Sequence, residues 1–144
     1  MNRDAELQRL VHFYETLSEQ TLREELTRLY APGVHFKDPF NDVHGVDKVV
    51  PIFEHMFVQV NAPRFVVKTA LVQGSDAFLT WEFLFTMKRH SKAPQCIRGA
   101  THIQFDAGGA VALHRDYWDA AEELYEKLPL LGSLMRWLKR AAQR

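Results

Sequence analysis

Two short segments each place a carboxylate among apolar and aromatic side chains. Asp38 lies in residues 36–39, and Asp116 lies in residues 114–119, shortly after the glycines at 108 and 109. Burying an ionised carboxylate is costly unless the group is hydrogen-bonded or paired, so such groups concentrate in functional sites. A carboxylate in an apolar pocket can remove a proton from a carbon acid or activate a water molecule. The two segments therefore predict a pocket with acid/base chemistry.

Helical periodicity marks the amino-terminal part of the chain. A second helix is predicted from about Leu22 to Tyr30, ended by the Pro-Gly pair at 32 and 33, and Asp47 is predicted to cap a third. The first helix is predicted from apolar residues at three- and four-residue steps, which put Tyr14 on the buried stripe: Leu7, Leu10, Val11, Tyr14 and Leu17.

Strand-forming runs of β-branched and aromatic residues follow the helices, at residues 65–72, 78–87, 97–105 and 111–118. Helices followed by consecutive antiparallel strands predict an α+β domain in which a curved sheet wraps the amino-terminal helices. Alternation along the strands places Trp81, Phe83 and Phe85 on the inner face of this sheet. The same alternation predicts an outward group of side chains: Ala70, Val72, Glu82 and Leu113.

The last hairpin specifies which side chains meet. If residues 108 and 109 form a two-residue loop, Thr101 lies opposite Asp116 and Ile103 lies opposite His114. A four-residue loop would shift the partners but keep these side chains on one face, whereas a three-residue loop would break this argument. With the predicted loop, Thr101, His114 and Asp116 project into the same interior as Tyr14, which gives a polar cluster inside apolar walls.

Composition bounds the class of protein. A chain of 144 residues, 47% of them hydrophobic, is long enough for one domain with a sizeable core. Its 18 basic and 18 acidic residues cancel, which disfavours a nucleic-acid partner. A single cysteine, no signal-peptide pattern and no apolar run of about 20 residues predict a cytoplasmic protein without a membrane span.

The order of these parts resembles the SnoaL-like and ketosteroid isomerase-like branch of the nuclear transport factor two-like superfamily. The resemblance covers roughly residues 5–119 and rests on Tyr14, on residues 29–34 leading into 36–39, on Gly45, and on residues 116–119. It implies a cone-shaped, strongly curved mixed or antiparallel sheet around the helices. It also implies a homodimer formed through the open sheet face.

Roles for individual residues follow from the resemblance. Asp38 matches the proton-shuttling aspartate of ketosteroid isomerases, and Tyr14 matches their oxyanion-hole tyrosine. Asp116 resembles the acid/base aspartate of SnoaL-type polyketide cyclases and the water-activating aspartate of limonene epoxide hydrolases. The catalytic residues implied are thus Asp38, Asp116 and Tyr14. A small hydrophobic molecule would contact the remaining candidates: Thr101, His114, Trp118, Trp81, Phe83 and Phe85.

The function expected is cofactor-independent isomerisation, cyclisation, dehydration or epoxide hydrolysis by carboxylate acid/base chemistry. The alternative is a non-catalytic ligand-binding or protein-interaction module of the same fold. Each candidate also has a structural interpretation. Asp38 could cap a turn, Asp116 could pair with Arg98 or Arg115, and Tyr14 could be an ordinary core tyrosine.

The seven histidines show no close ligand spacing along the sequence, so no metal site is predicted. A domain of residues 1–119 is followed by a helical extension, residues 120–144. Docking of this extension on its own domain or across the dimer is favoured over peripheral contact with a membrane. The extension is predicted from an apolar stripe of Leu130, Leu131, Leu134, Trp137, Leu138 and Ala141.

Overall fold

The three predicted helices are present in residues 4–59, but two strands of the sheet lie between the second and the third helix. The computed structural model describes residues 3–88 and 93–125, so the predicted stripe between residues 130 and 141 lies outside the described residues. Helix α1 spans Asp4–Glu15, α2 spans Leu22–Leu29 and α3 spans Val46–Gln59. No helix in these two ranges is both long and apolar enough to cross a membrane.

The predicted cap of α3 is wrong. Gly45 is the N-cap, with a φ of 104°, and Asp47 lies inside the first turn of the helix. A φ in this range strains any residue with a Cβ, which explains the glycine. Asp47 still carries negative charge at the positive end of the helix dipole, where it stabilises the helix.

The predicted end of α2 also differs from the structure. Tyr30 already has extended backbone angles, and strand β1, Tyr30–Lys37, runs through the Pro-Gly pair that was expected to stop the helix. The pairing of β1 shifts register between Tyr30 and His35, so the Pro-Gly pair lies in an irregular part of the strand. Proline and glycine are tolerated at such irregularities.

One mixed sheet of six strands confirms the predicted α+β class. The remaining strands are β2, Asp42–His44, β3, Val60–Gln73, β4, Asp76–Met87, β5, Gln95–Phe105, and β6, Val111–Tyr117. The spatial order is β2-β1-β6-β5-β4-β3, and only β1 and β6 pair in parallel among these strands. A short π-helix, Ala121–Tyr125, follows β6.

A bulge in β3 overturns part of the predicted alternation. The register shifts between Val67 and Thr69, so that Ala70 lies opposite the buried Leu79. Ala70 and Val72 therefore pack against the core, and the prediction that they point outward is wrong. An extra residue in one strand exchanges the two faces beyond it, because side chains alternate with a period of two.

The β5–β6 hairpin has the predicted register but not the predicted loop. Thr101 lies opposite Asp116 and Ile103 lies opposite His114. The loop between the paired residues Phe105 and Val111 is longer than two residues, and a register shift beside Phe105 compensates for the extra length. Asp106 Oδ1 organises this loop by accepting the backbone N–H groups of residues 108 and 110, at 3.0 and 2.9 Å.

The core lies between the inner face of the sheet and the helices. Helix α1 packs against β3, and α3 packs against β1, β3 and α2. Burying one large apolar side chain contributes about 1.5–3 kcal/mol, so this layer fixes the sheet on which the polar cluster lies. The largest fully buried side chains include Tyr30, Phe36, Leu7, Leu10, Leu22, Leu26, Leu79 and Ile103.

Candidate functional site

Asp116 is the centre of a hydrogen-bonded network on the inner face. Alternation along β6 directs His114 and Asp116 inward, and the β5 register brings Thr101 opposite Asp116. Thr101 Oγ1 donates to Asp116 Oδ1 over 2.6 Å, and His114 Nε2 lies 2.7 Å from the same oxygen. The side chain of His114 is 4% exposed and that of Asp116 is 17% exposed. The carboxylate is thus held from two sides at one oxygen.

Trp81 extends the network on the β4 side. Its Nε1–H donates to Thr101 Oγ1 over 2.8 Å, so Thr101 accepts one hydrogen bond while it donates another. Gly99, opposite Trp81, makes room for the indole ring, because a Cβ at this position would lie 2.4 Å from the ring. A glycine at 99 is therefore part of what positions the carboxylate.

Two buried tyrosines extend the network on the other side of His114. The Tyr30 hydroxyl lies 2.7 Å from His114 Nδ1, the Tyr14 hydroxyl lies 3.1 Å from it, and the two hydroxyls also bond to each other. Burial raises the pKa of both tyrosines above their ordinary value. Both hydroxyls therefore keep their protons and are available as donors.

The hydrogen bonds have a consistent direction when His114 is neutral. Tyr30 O–H donates to Nδ1, which places the imidazole proton on Nε2, where it is donated to Asp116. Tyr14 O–H then donates to the Tyr30 oxygen. Two series of donated hydrogen bonds therefore end at Asp116 Oδ1. One starts at Tyr14 and passes through Tyr30 and His114, and the other starts at Trp81 and passes through Thr101.

An open cleft of about 570 Å³ lies beside this network. In residues 3–88 and 93–125, no hydrogen bond reaches Oδ2 of Asp116, so this oxygen is available to a molecule in the cleft. The volume is in the range of small-molecule sites, about 300–1,000 Å³. The cleft is lined by Lys37, Asp38, Pro39, Arg115, Asp116, Tyr117, Trp118 and Asp119.

Asp38 lines the same cleft from the loop between β1 and β2. Its Oδ1 accepts the backbone N–H groups of Phe40 and Asn41 at 2.8 and 2.7 Å, and the Asn41 side chain reaches both carboxylate oxygens. Asp38 therefore does cap a turn. Burial raises the pKa of Asp38, with these hydrogen bonds opposing the rise and the nearby charge of Asp116 adding to it.

The aromatic candidates divide into two groups. Trp118 lines the cleft and packs edge-on against Phe40, with ring centres 5.6 Å apart. Phe83 and Phe85 stack on each other 5.0 Å apart. Trp81, Phe83 and Phe85 are not among the described residues that line this cleft, nor are Tyr14, Thr101 and His114.

The structure answers whether Asp116 pairs with an arginine, and it adds Tyr30 to the network. Arg98 bonds Glu123 over 3.0 Å and Arg115 lies over the Tyr117 ring, so the part of the chain described here contains no ion pair between Asp116 and either arginine. Tyr30 was missed as a network member because the sequence pattern assigned it to a helix end. Its parallel pairing with β6 leaves no local signal in the sequence.

Away from the cleft, one group of described residues could hold a metal ion. His35, Asp42 and His44 bring their ligand atoms within 4.8 Å of one another on the β1–β2 hairpin. Separation along the sequence concealed this group, because cross-strand pairing brings His35 and His44 together.

Solved structures with the same architecture show the fold. A protein from Jannaschia sp. CCS1 that is named as a SnoaL-like polyketide cyclase is 13% identical, with a TM-score of 0.71 over 81% of this chain and 87% of that one. A counterpart from Shewanella putrefaciens is 18% identical, with a TM-score of 0.71 over 88% and 97%. A protein with a ketosteroid isomerase-like fold from Catenulispora acidiphila, in complex with trimethylamine, is 13% identical, with a TM-score of 0.70 over 84% of this chain and 90% of that one.

These similarities confirm the predicted fold type, that of the nuclear transport factor two-like superfamily. No curated protein matches the sequence. The family model of the SnoaL-like domain matches residues 10–114, which is well over half of the chain. The chain therefore belongs to the SnoaL-like family.

Proposed function

We propose that this protein binds a small hydrophobic molecule in the cleft and transforms it by cofactor-independent acid/base catalysis centred on Asp116. The reaction class is isomerisation, cyclisation, dehydration or epoxide hydrolysis. The observation that carries the proposal is the convergence of donors on one oxygen of Asp116, which leaves Oδ2 available at the cleft. These donors hold the carboxylate in one orientation, which presents Oδ2 as a general base to a molecule bound within hydrogen-bond reach.

The proposed mechanism assigns different tasks to the two carboxyl groups. Asp116 Oδ2 accepts a proton from a substrate carbon or from an attacking water, while Thr101 and His114 keep the carboxylate in place. Asp38, whose pKa is raised by burial, is suited to hold a proton and return it to the substrate. Trp118 offers an apolar surface beside both groups. No step of this scheme needs an electron acceptor.

Relatives of the fold support a small organic ligand. Two similar structures carry the name of polyketide cyclases, and a third holds trimethylamine. The fold alone does not fix an activity, so these names contribute the ligand class only.

Ligand capture tests the proposal. Purified protein is incubated with a hydrophobic metabolite extract, and bound compounds are recovered by native mass spectrometry for the wild type, Asp116→Asn and Asp38→Asn. Asp47→Asn, on the exposed surface of α3, serves as a matched control. We expect a compound that the wild type and the control consume and that Asp116→Asn retains intact. Equal turnover by Asp116→Asn would contradict the assignment of the base.

A non-catalytic ligand-binding or interaction module is the second candidate. It is favoured by the completeness of the network, since every buried side-chain polar atom among the described residues has a hydrogen-bond partner. Capture of a compound that the wild type never alters would support this candidate.

The quaternary structure is also a proposal. Leu71 and Phe78 face each other across β3 and β4 on the outer side of the sheet and are 64% and 54% exposed. A second copy of the chain would cover this apolar pair, as the homodimer expectation requires. Light scattering should give a dimer mass that decreases for Phe78→Glu and not for Val58→Glu, an exposed apolar position on α3. A monomeric wild type would contradict it.

A further inference from the structure

The β1–β2 hairpin gathers three side chains that carry metal-binding atoms. His35 and His44 are direct cross-strand partners in the antiparallel pair. Asp42 precedes His44 by two residues, so both point to the same face of β2. The backbone pairing therefore places all three side chains on one face of the hairpin.

The distances suit a shared ion. His35 Nε2 lies 2.6 Å from Asp42 Oδ1, and the rings of His35 and His44 stack 4.3 Å apart with an angle of 13° between their planes. All three ligand atoms lie within 4.8 Å of one another. Metal–ligand distances near zinc are about 2 Å, so ligand atoms around one ion are separated by up to about 4 Å. Binding of one ion therefore requires the imidazole rings of His35 and His44, which are half-buried and exposed respectively, to rotate slightly.

We propose that His35, Asp42 and His44 form a surface site for a divalent transition-metal ion, with Zn²⁺ as the preferred test ion. Two imidazole nitrogens and one carboxylate oxygen favour zinc, copper or nickel over magnesium or calcium, which prefer oxygen ligands. Three protein ligands leave at least one coordination position for water or another group. The side chains of His35 and Asp42 are 37% and 55% exposed, so an ion can reach them directly.

One neighbour opposes the ion. Lys37 Nζ lies 3.7 Å from Asp42 Oδ2, and its positive charge competes with a cation for this carboxylate. The imidazole proton between His35 and Asp42 must also leave this position when a metal binds, with the neutral ring carrying its proton on Nδ1 instead. Removing the lysine charge should therefore tighten metal binding.

Isothermal titration of the tag-free full chain with Zn²⁺ tests the site. We expect one saturable site in the wild type and higher affinity in Lys37→Gln. Affinity should fall by more than about tenfold in His35→Gln and His44→Gln, because loss of even an outer-shell partner lowers metal affinity about 10–100-fold. His55→Gln, an exposed histidine on α3, should bind like the wild type. Mg²⁺ should not compete with Zn²⁺.

A second measurement does not depend on the variants folding. Imidazole resonances of the wild type are followed by NMR during the same titration, and those of His35 and His44 should shift together. Absence of saturable Zn²⁺ binding, or a titration in which other histidines shift and these two do not, would overturn the proposal. So would unchanged affinity in a folded His44→Gln variant.

Discussion

Asp38 and Asp116 line one cleft, but the chain positions them in opposite ways. Among the described residues, every hydrogen-bond partner of the Asp38 side chain lies within three residues of it, in its own turn. Asp116 depends on Thr101, 15 residues away, and through His114 on tyrosines contributed by α1 and β1. A local turn can form the hydrogen bonds of Asp38 without the sheet, whereas the hydrogen bonds of Asp116 form only when distant elements are in register. Substitutions in the two environments should therefore differ in cost.

The largest effect is expected at the centre of the long-range environment. His114→Leu removes the acceptor of Tyr30 and a donor to Asp116 inside the core. Each buried group that loses its partner costs about 1–3 kcal/mol, so the free energy of unfolding should decrease by about 3 kcal/mol. Urea unfolding measures this change. The exposed control His55→Leu should change the same quantity by less than about 0.5 kcal/mol, and equal losses in both variants would contradict the central role of His114.

The second-largest loss of stability is expected at Gly99, which packs against the indole ring of Trp81. Gly99→Ala places a Cβ 2.4 Å from the indole ring, which must move away from Thr101. Overpacking of this kind costs about 1–3 kcal/mol, and a shifted Trp81 should also change the tryptophan fluorescence spectrum. Gly33→Ala is the matched control, because nothing lies within 4 Å of the added Cβ. An unchanged melting temperature for Gly99→Ala would show that the ring position is not constrained.

A smaller effect is expected in the local environment. Asn41→Ala removes two side-chain hydrogen bonds to Asp38 but leaves both backbone donors in place. We expect a loss of about 0.5–1.5 kcal/mol in the free energy of unfolding by urea titration. A loss as large as that of His114→Leu would remove the proposed difference between the two carboxyl environments.

The smallest effect is a change of slope with pH. The pKa of Asp38 is raised in the folded protein from an ordinary value of 3.8. As the pH rises from below this value, the unfolded chain releases the Asp38 proton first, so the folded protein binds more protons and loses relative stability. The unfolding free energy of the wild type minus that of Asp38→Asn should therefore fall with rising pH until the folded carboxyl has also ionised. A difference that rises with pH would contradict the raised pKa.

The features that the sequence could predict are those that depend on short-range patterns. The turn at Asp38 is visible in an Asp-Pro pair, and the meeting of Thr101 with Asp116 is visible from alternation on either side of two glycines. These are short-range patterns with a fixed period. The inward direction of Tyr14 follows equally from helical spacing.

What the sequence could not predict depends on irregularities and on distant pairing. The bulge in β3 exchanges the inward and outward side chains beyond Val67, and no glycine or proline between Val67 and Thr69 indicates it in the sequence. Tyr30 joins the network through parallel pairing of β1 with β6, and β2 has only three residues, too few to show a period. The histidine pair of the hairpin was missed because β2 was too short to be predicted, so nothing placed His35 opposite His44.

The compensated β5–β6 hairpin has a consequence for how this family member can change. Because side chains alternate with a period of two, the shift beside Phe105 is what lets a loop longer than two residues leave Asp116 on the inner face. Arg3 holds the tip as well, because its guanidinium donates to the carbonyl oxygens of Asp106 and Ala107 at 3.3 and 2.7 Å. For engineering, a one-residue insertion that no such shift offsets is therefore the change to avoid, because it would turn Asp116 away from the cleft.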